Sequence, residues 1–477
     1  MNNAIIAAAC AVALLATGEG GAQQAAPPAA TDVRPDQRVF RDLYRELVET
    51  DTSVATGSCT LAAEKVAAHL RLAGFTDDQI TLFKDEKFPL DGGIVAVLPG
   101  SAAAAKPMLL LGHLDVVNAR REDWTRDPFK FIEENGYFYG RGTSDMKVLV
   151  AIWVDTLIRF KQQGYRPKRT IKLALTCGEE SGARMNGVQW LAEKRPALIA
   201  AEFALNEGGG GDTDGAGKLV TQTMQVGEKS NRNFEIEATN PGGHSSIPID
   251  DNAIYQLADA LTRVRAYRFP VHFNDTTRAF FRQAGASRAD DLGRAMVRLA
   301  ANPGDKEAEA TVVRDRTYNS MLRTTCVATL IDGGHAANAL PQRAKANVNC
   351  RIAPGEDADT TRAALQGAIA DPKVTVTLTG RLRPVAVTPP LSPRIVKPAE
   401  RLVARYFPGV PLIPTMSTGA TDATYLAPIG IPTYGVPGPW GDPDGNGAHG
   451  LNERHSVRSA YVGRDFLFDL VKAYADD

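Results

Sequence analysis

The sequence predicts an α/β protein: a large domain on a mixed, largely parallel sheet, interrupted by an inserted α+β domain. Three observations carry this. The chain has 477 residues, more than a single core usually holds, so two domains are expected. Strand-like and helix-like segments alternate between residues 59 and 177 and again after residue 385, the pattern of a sheet with crossover helices. Between about 226 and 384 the order changes to paired strands with separate helices, which marks an insertion.

The N-terminus stands apart. Residues 4–17, AIIAAACAVALLAT, form one uncharged apolar run, followed by a small, polar, Pro-rich stretch. Such a run is too short to span a bilayer as a helix but suits the apolar region of a signal peptide. Gly20 and Ala22 are the small residues that cleavage before Gln23 requires, although no Lys or Arg precedes the run. The expectation is a signal peptide over 1–22 and a disordered linker over 23–36. The protein is then exported, periplasmic or secreted, with no stable membrane insertion after cleavage; an uncleaved anchor is the alternative.

Residues 59–74 read as an amphipathic helix closed by Gly74, and IVAVLPG and MLLLGHLD as strands. VLVAIWVDTLIRFKQQG reads as a helix, and TIKLALTC as a strand in which Ile171, Leu173 and Leu175 alternate with Lys172, Ala174 and Thr176. Then follow the strand NFEIEATN, a helix from Asn252 and a charged helical stretch to about 315. RTTCVATLI and AKANVNCRI read as paired strands, DTTRAALQGAIA as a helix and KVTVTLT as a strand. After PVAVTPPLSP the α/β pattern resumes with IVKPAERLVARYF and GIPTYGVPG. The large domain therefore comprises 37–225 and 385–477, and the insert 226–384.

Lys+Arg 54 against Asp+Glu 55, with no basic block, speaks against a nucleic-acid partner. Cys59, Cys177, Cys326 and Cys350 remain after cleavage; no pair has CxxC spacing, so a structural zinc knot is not expected. Cys326 and Cys350 lie on two predicted strands, equidistant from Asn338. An oxidising compartment permits a disulfide between them, and two small buried hydrophobes are an equal alternative.

Glu179 and Glu180 end an apolar strand in LTCGEESG. Ionised groups removed from water are costly unless paired, so stability alone does not place two carboxylates there. Other reactive residues occupy comparable places. His113 and Asp115 follow MLLL, Asp145 lies in the turn YGRGTSDMK, Glu207 ends FALNEGGGG, and His449 sits in GNGAHGLNER. The carboxyl ends of strands are where open α/β sheets bind ligands. Imidazole plus carboxylate, without thiolate, is a ligand set for Zn²⁺ or a similar divalent ion. Asp145, Glu180 and Glu207 oppose one divalent ion with excess negative charge, whereas two ions leave a slight positive excess suited to a hydroxide. Taken singly, each residue has an ordinary reading: GRG is a common turn, and paired glutamates suit a helix N-terminus. His69, His272 and His455 are read as ordinary hydrogen-bonded or exposed histidines. The joint occurrence, in order and at strand ends, points to metal.

The phrases LLLGHLDVV, DPFKFIEENGYFYGRGTSDMK, CGEESG, NEGG, GGHSSIP and AHGLNE resemble the signatures of the co-catalytic zinc amidohydrolase and peptidase family. That family includes aminoacylase, acetylornithine deacetylase, succinyl-diaminopimelate desuccinylase, glutamate carboxypeptidase, carnosinase and carboxypeptidase S. The resemblance spans essentially residues 37–477, and EDWTRDPFKF is most similar to the carboxypeptidase S and N-acyl amino acid hydrolase branch. It implies a zinc-peptidase-like catalytic domain with an inserted lid of the dimerisation type. It also implies two Zn²⁺ ions per subunit, with Co²⁺ or Mn²⁺ as substitutes. His113, Asp145, Glu180, Glu207 and His449 would be the ligands, Asp145 bridging both ions. Asp115 would orient the His113 imidazole, and Glu179 would be the general base.

In the lid, His244 of GGHSSIP resembles the histidine that completes the oxyanion site, usually across a dimer. Asn338 and Arg351 resemble the residues that bind a substrate carboxylate, Arg351 by a bidentate fork. Thr418 and Gly419 in STGATD resemble the loop whose N–H groups help hold that carboxylate. Two positions depart from the pattern. Val148 stands where many relatives have glycine, and ANPGDKEAEATVVRDR adds a charged stretch to the insert. An enlarged lid supplies the histidine within one chain in some relatives, so a homodimer is a possible rather than a required partner. The implied activity is hydrolysis of an amide or peptide bond beside a free carboxylate, in a small peptide or an N-acyl amino acid. A dipeptidase of the same family is the alternative. A non-catalytic peptide-binding homologue is disfavoured because Glu179 and all five ligands are present, and a serine hydrolase because no GxSxG elbow occurs.

Overall fold

A computed structural model describes residues 33–180, 184–380 and 383–477. The expected signal segment 1–22 and linker residues 23–32 lie outside the described residues. The last two residues expected for the linker belong instead to the helix α1 (Pro35–Glu49), where Pro35 occupies the first turn and its fixed φ suits a helix start. Among the described residues no helix is long and apolar enough to cross a membrane.

The large sheet contains β1 (Ile80–Asp85), β2 (Phe88–Leu98), β3 (Met108–His113), β4 (Ile171–Thr176), β5 (Phe203–Asn206), β6 (Gly210–Thr213) and β7 (Leu219–Glu228). The insert supplies β8 (Ser230–Thr239), β9 (Thr325–Gly333), β10 (Arg343–Ile352) and β11 (Val374–Thr379), and the large sheet is completed by β12 (Leu412–Ser417) and β13 (Thr433–Gly435). Its order is β1-β2-β4-β3-β5-β13-β7-β12, with β6 beside β7. The block β4-β3-β5-β13 is parallel, whereas β1-β2, β2-β4 and β13-β7 pair antiparallel. The sheet is therefore mixed. β1 and β2 form a hairpin, which a short connection permits only for antiparallel neighbours.

Successive residues of β3 feed opposite faces. Leu110 joins a core with α1, α2 (Cys59–Leu72) and α3 (Lys147–Gln162), while Leu109 and Leu111 join one with α4 (Gly187–Lys194). Both faces are covered, so the strand reads as a continuous apolar run. Trp153 of α3 is fully buried and donates its indole N–H to the Leu111 carbonyl at 3.0 Å. That bond ties the helix following Asp145 to the strand carrying His113.

The insert holds α5 (Ala253–Ala266), α6 (Asp275–Ala286), α7 (Asp291–Ala301), α8 (Lys306–Val312), α9 (Arg316–Leu322) and α10 (Ala358–Ile369). Its antiparallel sheet, β9-β10-β8-β11, buries Phe234, Ile236 and Val348 against α5 and α10. The alternate positions of β8 and β10 form a polar face, where Asn349 bonds Asn231 and Asn233 and Arg351 lies opposite Asn231. Cys326 and Cys350 are direct cross-strand partners and form a disulfide.

Two features depart from the sequence-based boundaries. β7 continues in the large sheet to Glu228, beyond the expected limit at 225, so the chain changes sheets at Lys229. The charged helical stretch becomes α6–α9, each helix capped at its N-terminus by an Asn or Asp side chain: Asn274, Asp290, Asp305 and Asp315. These helices share a small core of Phe281, Met296, Leu299 and Leu322 that includes Ile413 of β12. They pack on the edge of the large sheet rather than on the lid sheet. The chain finishes with α11 (Pro393–Tyr406) and α12 (Val457–Ala475), which cover the α3 side of the large sheet.

Candidate metal centre

Three of the expected ligands arrive at the carboxyl ends of parallel strands: His113 ends β3, Glu180 follows β4 and Glu207 follows β5. Asp145 precedes α3, and His449 comes from the loop before α12, with its backbone in the left-handed region at φ 59°. The structure brings all five together. His113 Nε2 lies 3.3 Å from Asp145 Oδ1 and 3.6 Å from Glu207 Oε1. His449 Nε2 lies 3.0 Å from Asp145 Oδ2 and 2.9 Å from Glu180 Oε1. Asp145 thus presents one oxygen to each histidine, and each histidine faces its own glutamate. Potential ligand atoms of His113, Asp145 and Glu180, and likewise of His113, Glu179 and Glu207, fall within 4.8 Å of one another.

Such a donor set suits divalent cations, and its electrostatics require positive charge. Burial pushes Glu179 well above the usual carboxylate range, and the charge of Glu207 adds to the shift. Burial lifts Glu180 to about 7. Burial would lower His113, but Glu207 and Asp145 outweigh it and hold the imidazole well above its ordinary value. The hydrogen bond to Asp145 is the largest cause raising His449 to about 9. Imidazolium protons therefore stand where cations would neutralise the carboxylates.

Asp115 acts differently from expectation. His113 Nδ1 donates to the backbone carbonyl of Asp115 at 2.9 Å, while the carboxylate lies farther off at 3.8 Å. The carboxylate instead accepts the Glu179 N–H at 3.3 Å and the Glu180 N–H at 3.0 Å. Asp115 therefore fixes both the imidazole and the paired glutamates, by different atoms. The turn carrying the glutamates needs Gly178 at φ 94°, where an added Cβ would lie 1.8 Å from the Met185 carbonyl.

Three supporting features escaped the sequence reading. Cys177, two residues before Glu179, is disulfide-bonded to Cys59 of α2, a pair separated by 118 residues with no spacing signal. Asn186 donates to Asp422 at 2.6 Å and to the Gly178 carbonyl at 3.3 Å, anchoring the glutamate turn from below. Burial lifts Asp422 to about 6. Glu453, fully buried, accepts Ser144 N–H and Asp145 N–H on one oxygen at 2.8 and 2.9 Å. Its other oxygen accepts Arg141 at 2.7 Å and the Gly142 N–H at 2.8 Å. Glu453 clamps the Asp145 loop to the His449 loop; the motif AHGLNE contained it, but sequence alone gave it no partner.

The lid residues are not gathered together. Arg351 is half-buried, and burial lowers its pKa, with Arg383 lowering and Glu179 raising it. It therefore lies within electrostatic reach of Glu179. His244 and Asn338 are exposed on or beside the short ribbon Gly243–His244 and Ala339–Leu340, and neither lines the cavity at the acid cluster. His244 Nδ1 accepts Ser246 N–H at 3.1 Å. Thr418 lines that cavity, but the Gly419 N–H is already donated to Ser417 Oγ at 3.0 Å and is not turned to a ligand. Among the histidines read as ordinary, His69 bonds Glu46 and His455 is buried beside Ser144.

The sequence pattern of peptidase family M20/M25/M40 matches residues 109–473. The chain is 28% identical to human N-fatty-acyl-amino acid synthase/hydrolase over 383 residues, covering 79% of this chain and 75% of that protein. A metallo-carboxypeptidase of the M20 family from Sulfolobus solfataricus shares the fold with a TM-score of 0.69 at 18% identity, over 91% of this chain and 99% of that one. A dinuclear metal-binding M20 peptidase from Bacillus subtilis does so with a TM-score of 0.58 at 13% identity, over 92% and 98%.

Proposed function

Because the chain belongs to peptidase family M20/M25/M40, metal-dependent hydrolases of amide and peptide bonds, we propose that it is a di-zinc enzyme releasing an amino acid from an N-acyl amino acid. The observation that carries the reading is Asp145, whose two oxygens face two separate histidine–glutamate pairs. That is the arrangement a carboxylate bridging two ions requires. His113, Glu207 and Asp145 Oδ1 would hold one ion, and His449, Glu180 and Asp145 Oδ2 the other. Two ions so held supply carbonyl polarisation and a water acidified to near neutrality.

The chain's own residues do the rest. Glu179, kept in a low-dielectric turn by Asp115 and Gly178, takes the attacking water's proton and returns it to the departing amine. Arg351 pairs with the substrate carboxylate through two parallel N–H donors, a geometry lysine cannot reproduce. The likeness to the human N-fatty-acyl-amino acid enzyme supports an acyl substrate over a dipeptide. The two disulfides support export, since such bonds persist in oxidising compartments. A homodimer is part of the proposal: the free edge of β9 exposes Val327, Leu330 and Ile331, and exposed His244 does not line the cavity at its own acid cluster.

The test is metal analysis of purified protein together with a screen of N-acyl amino acids and dipeptides. Glu179→Gln should keep both metals and lose turnover by about 10²–10⁴-fold. Turnover near wild type in a metal-replete mutant would sink the assignment of the base, and cleavage of dipeptides alone would sink the acyl reading.

A further inference from the structure

A cavity of about 970 Å³ opens from the acid cluster, running from Glu179, Glu207 and His449 along β12. Its far wall is not part of the large domain or the lid sheet. It is formed by α6 and α9, through Phe280, Ala284, Tyr318 and Met321, and Val220 of β7 lines the same cavity. The helical unit is seated on the large sheet through Ile413, so its distance from the acid cluster is set by β12. We propose that this four-helix unit is the acyl-group wall of the enzyme: the chain on the carbonyl side of the scissile amide lies along it, and α6 and α9 set the length accepted.

This rests on the N-acyl amino acid reading, and two observations assign the acyl side. Ligand cavities span about 300–1,000 Å³, so this one is near the upper limit and larger than an amino-acid side chain needs. Among the described residues that line it, no unpaired cation is available for a carboxylate. Arg288, the guanidinium on the rim, is held by Asp290 through bonds of 3.1 and 2.6 Å. Arg351, which has no such carboxylate partner among the described residues, does not line the cavity. The carboxylate end of the substrate therefore points toward Arg351, and the acyl end toward the helices.

The experiment compares acetyl, hexanoyl and dodecanoyl derivatives of one amino acid, dodecanoyl derivatives of two further amino acids, and dipeptides, on wild type, Ala284→Trp and Val220→Trp. The first variant narrows the cavity from the helical unit, and the second from the sheet without altering the helices. Wild type should favour the longer chains, and both variants should reduce the dodecanoyl-to-acetyl ratio of kcat/KM by at least about tenfold, since single methylenes in a fitted pocket are discriminated on that scale. The same ratio should appear in dissociation constants measured by calorimetry on Glu179→Gln protein. Cleavage of all three acyl substrates with a ratio unmoved in both variants overturns the wall. So does a variant that alters preference among the released amino acids instead. Cleavage of dipeptides with none of the acyl series overturns the N-acyl reading itself, and the wall with it.

Discussion

Glu453 shows how much of the centre depends on a residue that touches no ligand atom. Its carboxylate receives four N–H donors, two of them from Asp145 and its neighbour Ser144. In Glu453→Gln one oxygen becomes an NH₂ group facing donors, and an unsatisfied buried donor costs roughly 1–3 kcal/mol. We expect metal affinity and kcat to fall on the order of 10–100-fold, as for other residues that orient ligands. Wild-type affinity in a titration with a competing chelator would show that the clamp does not position Asp145. Protonation gives a second prediction. With metal stripped, Glu180 holds its proton up to about 7 and His449 up to about 9. An incoming cation must displace these protons. Affinity should therefore rise with pH through 7 to 9 and fall as pH drops below 7; equal affinity at pH 6 and pH 8 would contradict the assignment of these two ligands.

At the scale of elements, the turn after β4 carries both the proposed base and a proposed ligand, and it is tied down at both ends. Asn186 and Asp115 hold it by hydrogen bonds, and Cys177 fastens its start to α2. A disulfide closing a loop this long stabilises on the order of 2–5 kcal/mol. Cys59→Ala with Cys177→Ala should lower Tm and also weaken metal retention, because the glutamates sit two and three residues beyond the bond. Cys326→Ala with Cys350→Ala should lower Tm while leaving metal content unchanged, since that pair joins lid strands. Differential scanning calorimetry with metal analysis separates the two, and full metal retention in the first variant would limit its disulfide to global stability.

At the scale of the whole molecule, the lid sheet offers one partner surface. An edge strand with open N–H and C=O groups pairs readily with another strand, and β9 adds Val327, Leu330 and Ile331, the last two 71% exposed. Two copies pairing through β9 would bury these side chains in a symmetric contact. We expect a dimer by sedimentation velocity and a monomer for Ile331→Lys. If His244 serves the partner's centre, mixing inactive His244→Ala and Glu179→Gln proteins should restore activity through mixed dimers. A wild-type protein that sediments as a monomer, or His244→Ala with full activity, would remove the dimer from the mechanism.

The α/β class, the insertion and the cluster of histidines and carboxylates at the strand ends were legible in the sequence alone. Strand periodicity and strand-end motifs are local, and His113, Glu180 and Glu207 each sit where one segment of chain reaches the rim. Only the tertiary structure decided which atoms meet. Asp115 orients His113 through its carbonyl because the strand end turns its carboxylate toward the Glu179–Glu180 amides. Cys59 finds Cys177 across 118 residues because α2 packs under the sheet. The helices α6–α9 read as part of the lid, yet they lie on β12, since their apolar faces bury Ile413 rather than lid residues. Periodicity shows which face of a helix is apolar but not which surface will cover it; that choice is made by shape and burial across the folded chain.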